Sequence, residues 1–419
     1  IRAGRIVSGG STIHMQVMRL ALENRRRSLP NKIREMILAT RLALSHSTEE
    51  ILRLYATNAP FGGNVVGIEA ASWRYFNKAP TFLSWAEAAM LAVLPNSPGL
   101  IHPGKNRDLL LQKRNRLLQK LRTQGSIDTL TLELALAEPL PDEVHALPRI
   151  APHLLEQAYA SHYPQQHRIR SSIDFNLQKG ANAVVRRHHE ILKVNQIHNL
   201  AALILDIRSG LPLVYIGNVQ ENNAGHQEQV DIIQSSRSSG SILKPLLAAW
   251  MMQEGMLIPQ SLISDVPTNI NGYQPENFTE QYDGLISVEK AIAKSLNIPF
   301  VRMLQQYGVE KFYHKLKKVG ISSLNFPASH YGLTLVLGGA EVNLADVCQA
   351  YAGIARSLRY FVERNSRYAP GDFEVPLLFE EKKNFSDQQL QDNPPVIAAA
   401  PSWFALQAMQ QLERPNDLG

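Results

Sequence analysis

"RSSGSILKPLL", residues 237–247, places a serine, Ser241, three residues before a lysine, Lys244, with Gly240 just ahead and the apolar run "ILKPLLAAWMM" around and behind. Two readings compete. Ser241 caps a helix that carries Lys244 on its surface, or Ser241 is a nucleophile with Lys244 as its base. Residues three apart share a helix face, which brings the amine towards the hydroxyl. The apolar surroundings would bury Lys244, and burial disfavours the ammonium and lowers its pKa. A neutral amine can take the hydroxyl proton and leave an alkoxide-like nucleophile. Free N–H groups at the helix start would stabilise an oxyanion on an attacked carbonyl. Gly240 permits a tight turn into that helix, and Pro245 is tolerated in its first turn.

The pattern recurs as Ser287 to Lys290 in "ISVEKAI", where the polar surroundings predict an N-cap. Chemistry at Ser241 wants a second polar pair to relay the proton and hold a substrate amide. Ser295-Leu296-Asn297, in "AKSLNIPFVRML", is a candidate, and Ser323-Leu324-Asn325 repeats its form. For either pair, helix capping is the competing use.

The 419 residues predict two domains or more, and 44% hydrophobic with 19% charged residues is a globular composition. The net charge is +6, and residues 1–60 alone hold ten Lys or Arg against four Glu, densest at "NRRRS", 24–28. An anionic partner or a solvated helix end would each account for that excess. One cysteine, Cys348, excludes a disulfide framework and a cysteine-rich metal site, and reads as a core filler in a helix. There is no Walker loop, dinucleotide fingerprint, His-Glu-x-x-His or nucleophile elbow, and the histidines do not cluster at ligand spacing. No metal site is expected. No apolar run approaches the roughly 18 residues of a membrane span. The chain opens with Ile in a Gly-rich segment and reads as a fragment, so the lack of an anchor says nothing of solubility.

Residues 1–125 read as mostly helical, with capping boxes at Ser47/Glu50 and Ser84/Glu87, a stop at Pro95, and a glycine-rich loop in "APFGGNVVGIEAASWRYF". Residues 126–167 read as a linker. Residues 168–419 read as α+β. "RIRSSIDFNLQKGANAVVRRHHEIL" predicts a strand entering a helix, and "LAALILDIRSGLPLVYIGNV" a hairpin about "RSG".

"RSSGSILKP", "AKSLNIPFV" and "LVLGGAEVNLADVCQAYAGIAR" together resemble the transpeptidase domain of penicillin-binding proteins, whose three motifs are Ser-x-x-Lys, Ser-x-Asn and Lys-Thr-Gly. "RSSIDFNLQKGA" resembles the segment that opens that domain. The third motif is absent; Lys318-Val319-Gly320 lacks the hydroxyl and comes too early. "GGSTIHMQVMRL", "NKIREMILATRLAL", "EEILRLYATNAPFGGNVVGIEAASWRYF" and "LSWAEAAMLAVLPNSPG" resemble, in order, the glycosyltransferase domain of the bifunctional class A members. The "HMQ" and "APFGG" stretches are most similar to the 1C branch.

The resemblance implies an α+β multidomain chain: a mostly α, lysozyme-like glycosyltransferase domain at 1–125, lacking its first part, and an incomplete β-lactamase/transpeptidase-like domain at 168–419. It implies that glycan strands are polymerised from a lipid-linked disaccharide diphosphate and that stem peptides are cross-linked through Ser241. Lys244 would be the base, and Ser295 and Asn297 would relay the proton and position the peptide. Arg19 and Lys32 fall at the family's phosphate-binding positions, with Gly10, Ser11, Thr12, Gln16 and Asn58 as polar contacts. Glu35 matches the family's second glutamate, which assists departure of the diphosphate; read from the residues alone, it is a surface ion pair with Arg34 or Lys32. The motif with the main glycosyltransfer base would precede residue 1. The implied partners are the lipid-linked precursor, stem peptides, β-lactams, an anionic membrane surface and a cell-wall synthesis complex, with no nucleic acid. The implied place is the bacterial inner membrane, with the domains facing the periplasm. No cofactor is implied, and a divalent metal at the lipid diphosphate is compatible. A serine β-lactamase or D,D-carboxypeptidase, and a non-catalytic β-lactam-binding scaffold, are the rival readings.

Overall fold

The computed structural model describes residues 11–22, 28–96, 103–162, 169–220, 224–270, 272–373 and 390–411, so Gly10 lies outside the described residues. The chain divides into two compact units, Ile1–Arg149 and Ile150–Gly419.

The first unit is helical: α1 (Ile13–Ala21), α2 (Leu29–Ser45), α3 (Thr48–Asn58), α4 (Ile68–Phe76), α5 (Trp85–Val93), α6 (Arg107–Thr123) and α7 (Thr129–Ala137). Side chains start several of these helices. Both expected capping boxes form, at Ser47/Glu50 and Ser84/Glu87. Between α3 and α4, a β-carbon at Gly67 would lie 2.6 Å from the Thr57 carbonyl oxygen, and φ there is +87°, so glycine is required. Buried Tyr75 donates to the Phe61 and Gly62 carbonyls and ties the glycine loop to α4. Residues 126–137, expected to be linker, instead add α7 to the core of α5 and α6 through Ile127 and Ala135. The reason is local: Asp128 caps the start at 2.7 Å and "TLTLELALA" continues as good helix former. The Pro-rich stretch begins only after it.

The second unit runs α8 (Pro152–His162), α9 (Phe175–Leu192), β1 (Ala202–Leu205), β2 (Pro212–Ile216), β3 (Arg237–Ser238), α10 (Lys244–Gln253), β4 (Leu262–Asp265), β5 (Gly284–Ser287), α11 (Val288–Ala293), α12 (Asn297–Tyr307), α13 (Val309–Lys318), α14 (Ala328–Tyr331), β6 (Glu341–Val342), α15 (Leu344–Glu363) and α16 (Ala399–Gln410). Among the described residues the strands pair as β1–β2, β3–β6 and β4–β5, all antiparallel. The β1–β2 hairpin is the one expected about "RSG". The strand expected before α9 does not form. There, Asp174 N donates to the Leu213 carbonyl and Ser172 Oγ to the Pro212 carbonyl, and Pro212 has no N–H to return.

α10 lies in the middle of this unit's main core, against residues of α11, α12, α15 and α16. Its residues Lys244 to Met251 are all buried, with Trp250 edge-on to Phe312 at 5.8 Å between ring centres. Such a helix, apolar all round, is held by its neighbours rather than by its own propensity. Cys348 is half-buried in α15. The sequence-based fold class holds: a helical unit, then an α+β unit.

Candidate active sites

The first site is built where β3 leads into α10. Gly240, at φ +52°, turns the chain, and Ser241 sits in that turn rather than on the helix. Spacing had placed Ser241 and Lys244 on one helical face; Pro245 prevents this. A helix begun at Ser241 would need residue 245 to donate to the Ser241 carbonyl, and proline has no N–H. Lys244 N donates to that carbonyl instead, at 3.1 Å, and α10 starts at Lys244.

The turn is held from behind. Ser238 Oγ donates to the Gly338 carbonyl at 2.7 Å and accepts from Gly240 N at 3.3 Å. Gly338 has φ +103°, and a β-carbon there would lie 2.9 Å from Gly240 Cα and 2.6 Å from Ser238 Oγ. Tyr351, on α15, donates to the Ile242 carbonyl at 2.6 Å.

Lys244 is 1% exposed, and burial pushes its pKa down to about 7. Its Nζ donates to the Ser295 carbonyl at 2.6 Å, to Asn297 Oδ1 at 2.7 Å and, longer, to Ser295 Oγ at 3.4 Å. Among the described residues it makes no hydrogen bond to Ser241 Oγ, the contact that spacing suggested. The acceptors of the 295–297 turn take the amine instead. The two short bonds take two of the nitrogen's hydrogens; when the amine is neutral, its lone pair occupies the third direction.

Ser295 ends α11 in a Schellman turn. Its N–H meets the Ile292 carbonyl at 3.0 Å, and Leu296 N meets that of Ala291 at 3.1 Å. The residue there adopts a left-handed conformation, φ +52°, where glycine is usual. A serine at this position keeps a hydroxyl beside Lys244. Asn297 opens α12; its Nδ2 donates to the Glu276 carbonyl at 2.7 Å, which turns Oδ1 towards Lys244.

Of the two repeated motifs, the one at Ser323 has a structural use. Ser287 stands at the N-cap position of α11 without a side-chain bond, because the Ser261 and Pro259 carbonyls take the first helix amides. Ser323 Oγ accepts from Asn343 N at 3.1 Å and fastens the start of α15.

The second site lies on α1, α2 and α3. Arg19 meets Glu35 in a two-pronged ion pair, Nε to Oε1 at 3.0 Å and Nη2 to Oε2 at 2.8 Å. Hydrogen bonding to Glu35 raises the Arg19 pKa. Glu35 thus pairs with Arg19 across the helix pair, where the residues alone had suggested Arg34 or Lys32 on its own helix. Glu35 is buried. Lys32 Nζ donates to Ser11 Oγ at 2.9 Å, and Tyr55 OH to Gln16 Oε1 at 3.1 Å. Two candidates turn inward on their own helices. Thr12 Oγ1 caps α1 by accepting from Met15 N, and Asn58 Nδ2 donates to the Leu54 carbonyl; among the described residues neither is hydrogen-bonded to Arg19, Glu35 or Lys32. On the opposite face of α2 from Glu35, the side chains of Leu29, Ile33, Met36, Ile37 and Leu44 are exposed.

Residues 1–122 match the Transglycosylase family model, and residues 200–359 match that of the penicillin binding protein transpeptidase domain. The chain belongs to the class A penicillin-binding proteins. Penicillin-binding protein 1C of Escherichia coli strain K12 is 35% identical over 85% of this chain and 46% of its own length. Penicillin-binding protein 1F of Bacillus subtilis strain 168 is 27% identical over 98% of this chain and 57% of its own. This class A chain spans about half the length of these curated relatives. Its fold is similar to penicillin-binding protein 1A of Haemophilus influenzae, with TM-score 0.51 and 16% identity over 96% of this chain and 75% of that one.

Sequence reasoning missed four residues that shape these penicillin-binding protein sites: Tyr55, Asn277, Gly338 and Tyr351. None has a spacing signature, since each acts across more than twelve residues of chain. The "GG" at 338–339 was the one available signal of close backbone approach. Among the described residues, no group of three or more His, Cys, Asp or Glu could hold a metal ion, and no helix is long and apolar enough to cross a membrane.

Proposed function

We propose that the protein polymerises glycan strands from a lipid-linked disaccharide diphosphate and cross-links their stem peptides. The observation that carries the second activity is a lysine buried to 1% exposure, one turn from Ser241, with the Ser295 and Asn297 acceptors arrayed about its nitrogen. Ser241 Oγ attacks the carbonyl carbon of a D-Ala-D-Ala peptide as its proton passes to Lys244 Nζ. The Oγ–C bond forms, the C–N bond to the terminal D-Ala breaks, and the proton goes to the departing amine. An amine of a second stem peptide then attacks the ester and frees Ser241. Ser295 and Asn297 relay the proton and hold the peptide. The Ser241 contact to Lys244 forms in this reading when substrate is seated, as catalytic hydrogen bonds often tighten only in the complex. β-lactams acylate the same oxygen.

In the first unit, Arg19 and Lys32 receive the diphosphate, with Ser11 and Gln16 beside them, and Glu35 assists its departure. Neither reaction as drawn calls on a cofactor; a divalent ion would enter with the diphosphate. The apolar stripe of α2 and the basic N-terminal excess support a reading in which this unit rests on anionic lipid; the membrane in this reading is the bacterial inner membrane, with the working domains on its periplasmic side within a wall-building complex. A glycosyltransferase unit ahead of the acyl-transfer unit favours synthesis over hydrolysis alone.

Labelling with a fluorescent penicillin tests the reading. Covalent label on the wild type and none on Ser241→Ala is expected; equal label on both would remove Ser241 as the nucleophile.

A further inference from the structure

α12 opens with Leu296 at its N-cap, which offers no side-chain acceptor to the first helix amides. Asn277 supplies one from 20 residues upstream: its Oδ1 accepts from Asn297 N at 2.9 Å and from Ile298 N at 3.3 Å. Its Nδ2 donates to Asp265 Oδ1 at 2.8 Å and to the Gln281 carbonyl at 2.9 Å. Both donors and both acceptor positions of the amide are then used, so it has one orientation. Asp265, fully buried at the end of β4, accepts at its other oxygen from Asp283 N at 2.9 Å. The neighbouring Glu276 carbonyl takes Asn297 Nδ2 at 2.7 Å. Residues 276 and 277 therefore hold both the backbone and the side chain of Asn297, whose Oδ1 holds Lys244 Nζ at 2.7 Å.

We propose that Asn277, braced by Asp265, is a positioning residue for acyl transfer at Ser241: it fixes Asn297 Oδ1 and through it the place of Lys244 Nζ. This rests on the acyl-enzyme reading above. A plain helix cap would add stability and leave the chemistry of folded molecules untouched. A positioning residue acts on the rate of each folded molecule, because a group displaced by about 1 Å can lose about 10²-fold in rate.

The experiment follows acylation by a fluorescent penicillin, with the rate expressed per site that labels at saturation. The proteins are the wild type, Asn277→Ala, Asp265→Asn and the exchange Asp265→Asn/Asn277→Asp. Asn277→Ala is expected to lower the rate per site by about 10²-fold. Asp265→Asn keeps the shape but sets an amide against two donors, and is expected to lower it less. The exchange restores one amide-to-carboxylate bond in the reverse direction and is expected to recover part of the loss. A wild-type rate per site in Asn277→Ala would make the cap purely structural and overturn the proposal. Should that variant not fold, a wild-type rate per site in Asp265→Asn overturns it equally. Label persisting on Ser241→Ala, which keeps Asn277, would instead strike down the acyl-enzyme reading itself.

Discussion

A buried lysine with a pKa of about 7 is half neutral at neutral pH, whereas an exposed one stays charged to about 10.4. The charged form has no lone pair and is no base. Acylation of Ser241 should therefore be slow below pH 7, rise through about 7 and level off above it. A rate–pH profile with its midpoint near that of a free lysine would remove Lys244 as the base. Ser295 poses a second test at this scale. Its left-handed backbone costs a non-glycine residue roughly 1–2 kcal/mol, and glycine would return roughly 0.5–1 of that as chain entropy. Ser295→Gly should thus raise the denaturation free energy by about 0.5–1 kcal/mol, while the acylation rate falls with loss of the hydroxyl. A less stable Ser295→Gly would show that the hydroxyl serves the fold.

At the scale of elements, one missing N–H decides the geometry of the site. Pro245 forces α10 to begin at Lys244 and leaves Ser241 in a turn. The turn needs backing, and Gly338 provides it, just ahead of the strand that pairs with β3, while Gly339 packs on Thr334. Gly338→Ala would set a β-carbon 2.9 Å from Gly240 Cα at φ +103°. A loss of about 1–3 kcal/mol is expected in denaturant unfolding, the range for overpacking, together with slower labelling of Ser241. Unchanged stability would mean that the loop yields without strain. The meeting of Lys244 with Ser295 and Asn297 was legible in the sequence because Ser-x-x-Lys and Ser-x-Asn are local patterns in telling surroundings, whereas among the described residues the direct side-chain bond between Ser241 and Lys244 that spacing suggested does not form. The cap on α12 was not, because Asn277 looks like any loop asparagine until β4 and β5 bring Asp265 beneath it. The strand expected before α9 failed because its approach to β2 is made by one backbone bond, Asp174 N to the Leu213 carbonyl, and one side chain, Ser172, before Asp174 caps α9.

At the scale of the whole chain, each unit has its own apolar clusters, around Met90 and Leu118 in the first and around Trp250 in the second. Effects of substitutions in separate units should then stay within them. Arg19→Gln, which breaks the pair with Glu35, is expected to leave the acylation rate of Ser241 within about twofold of wild type. A larger change, read with the fluorescent penicillin, would reveal coupling between the units. The helical class of the first unit was plain from its capping boxes and apolar spacing, but the partner of Glu35 was not, since Arg19 reaches it from another helix. The long-range cap on α12 has a medical consequence. On the acyl-enzyme reading proposed above, substitutions at Asp265 or Asn277 would slow acylation of Ser241 by a β-lactam and by the stem peptide alike, so escape from the antibiotic by that route would be self-limiting.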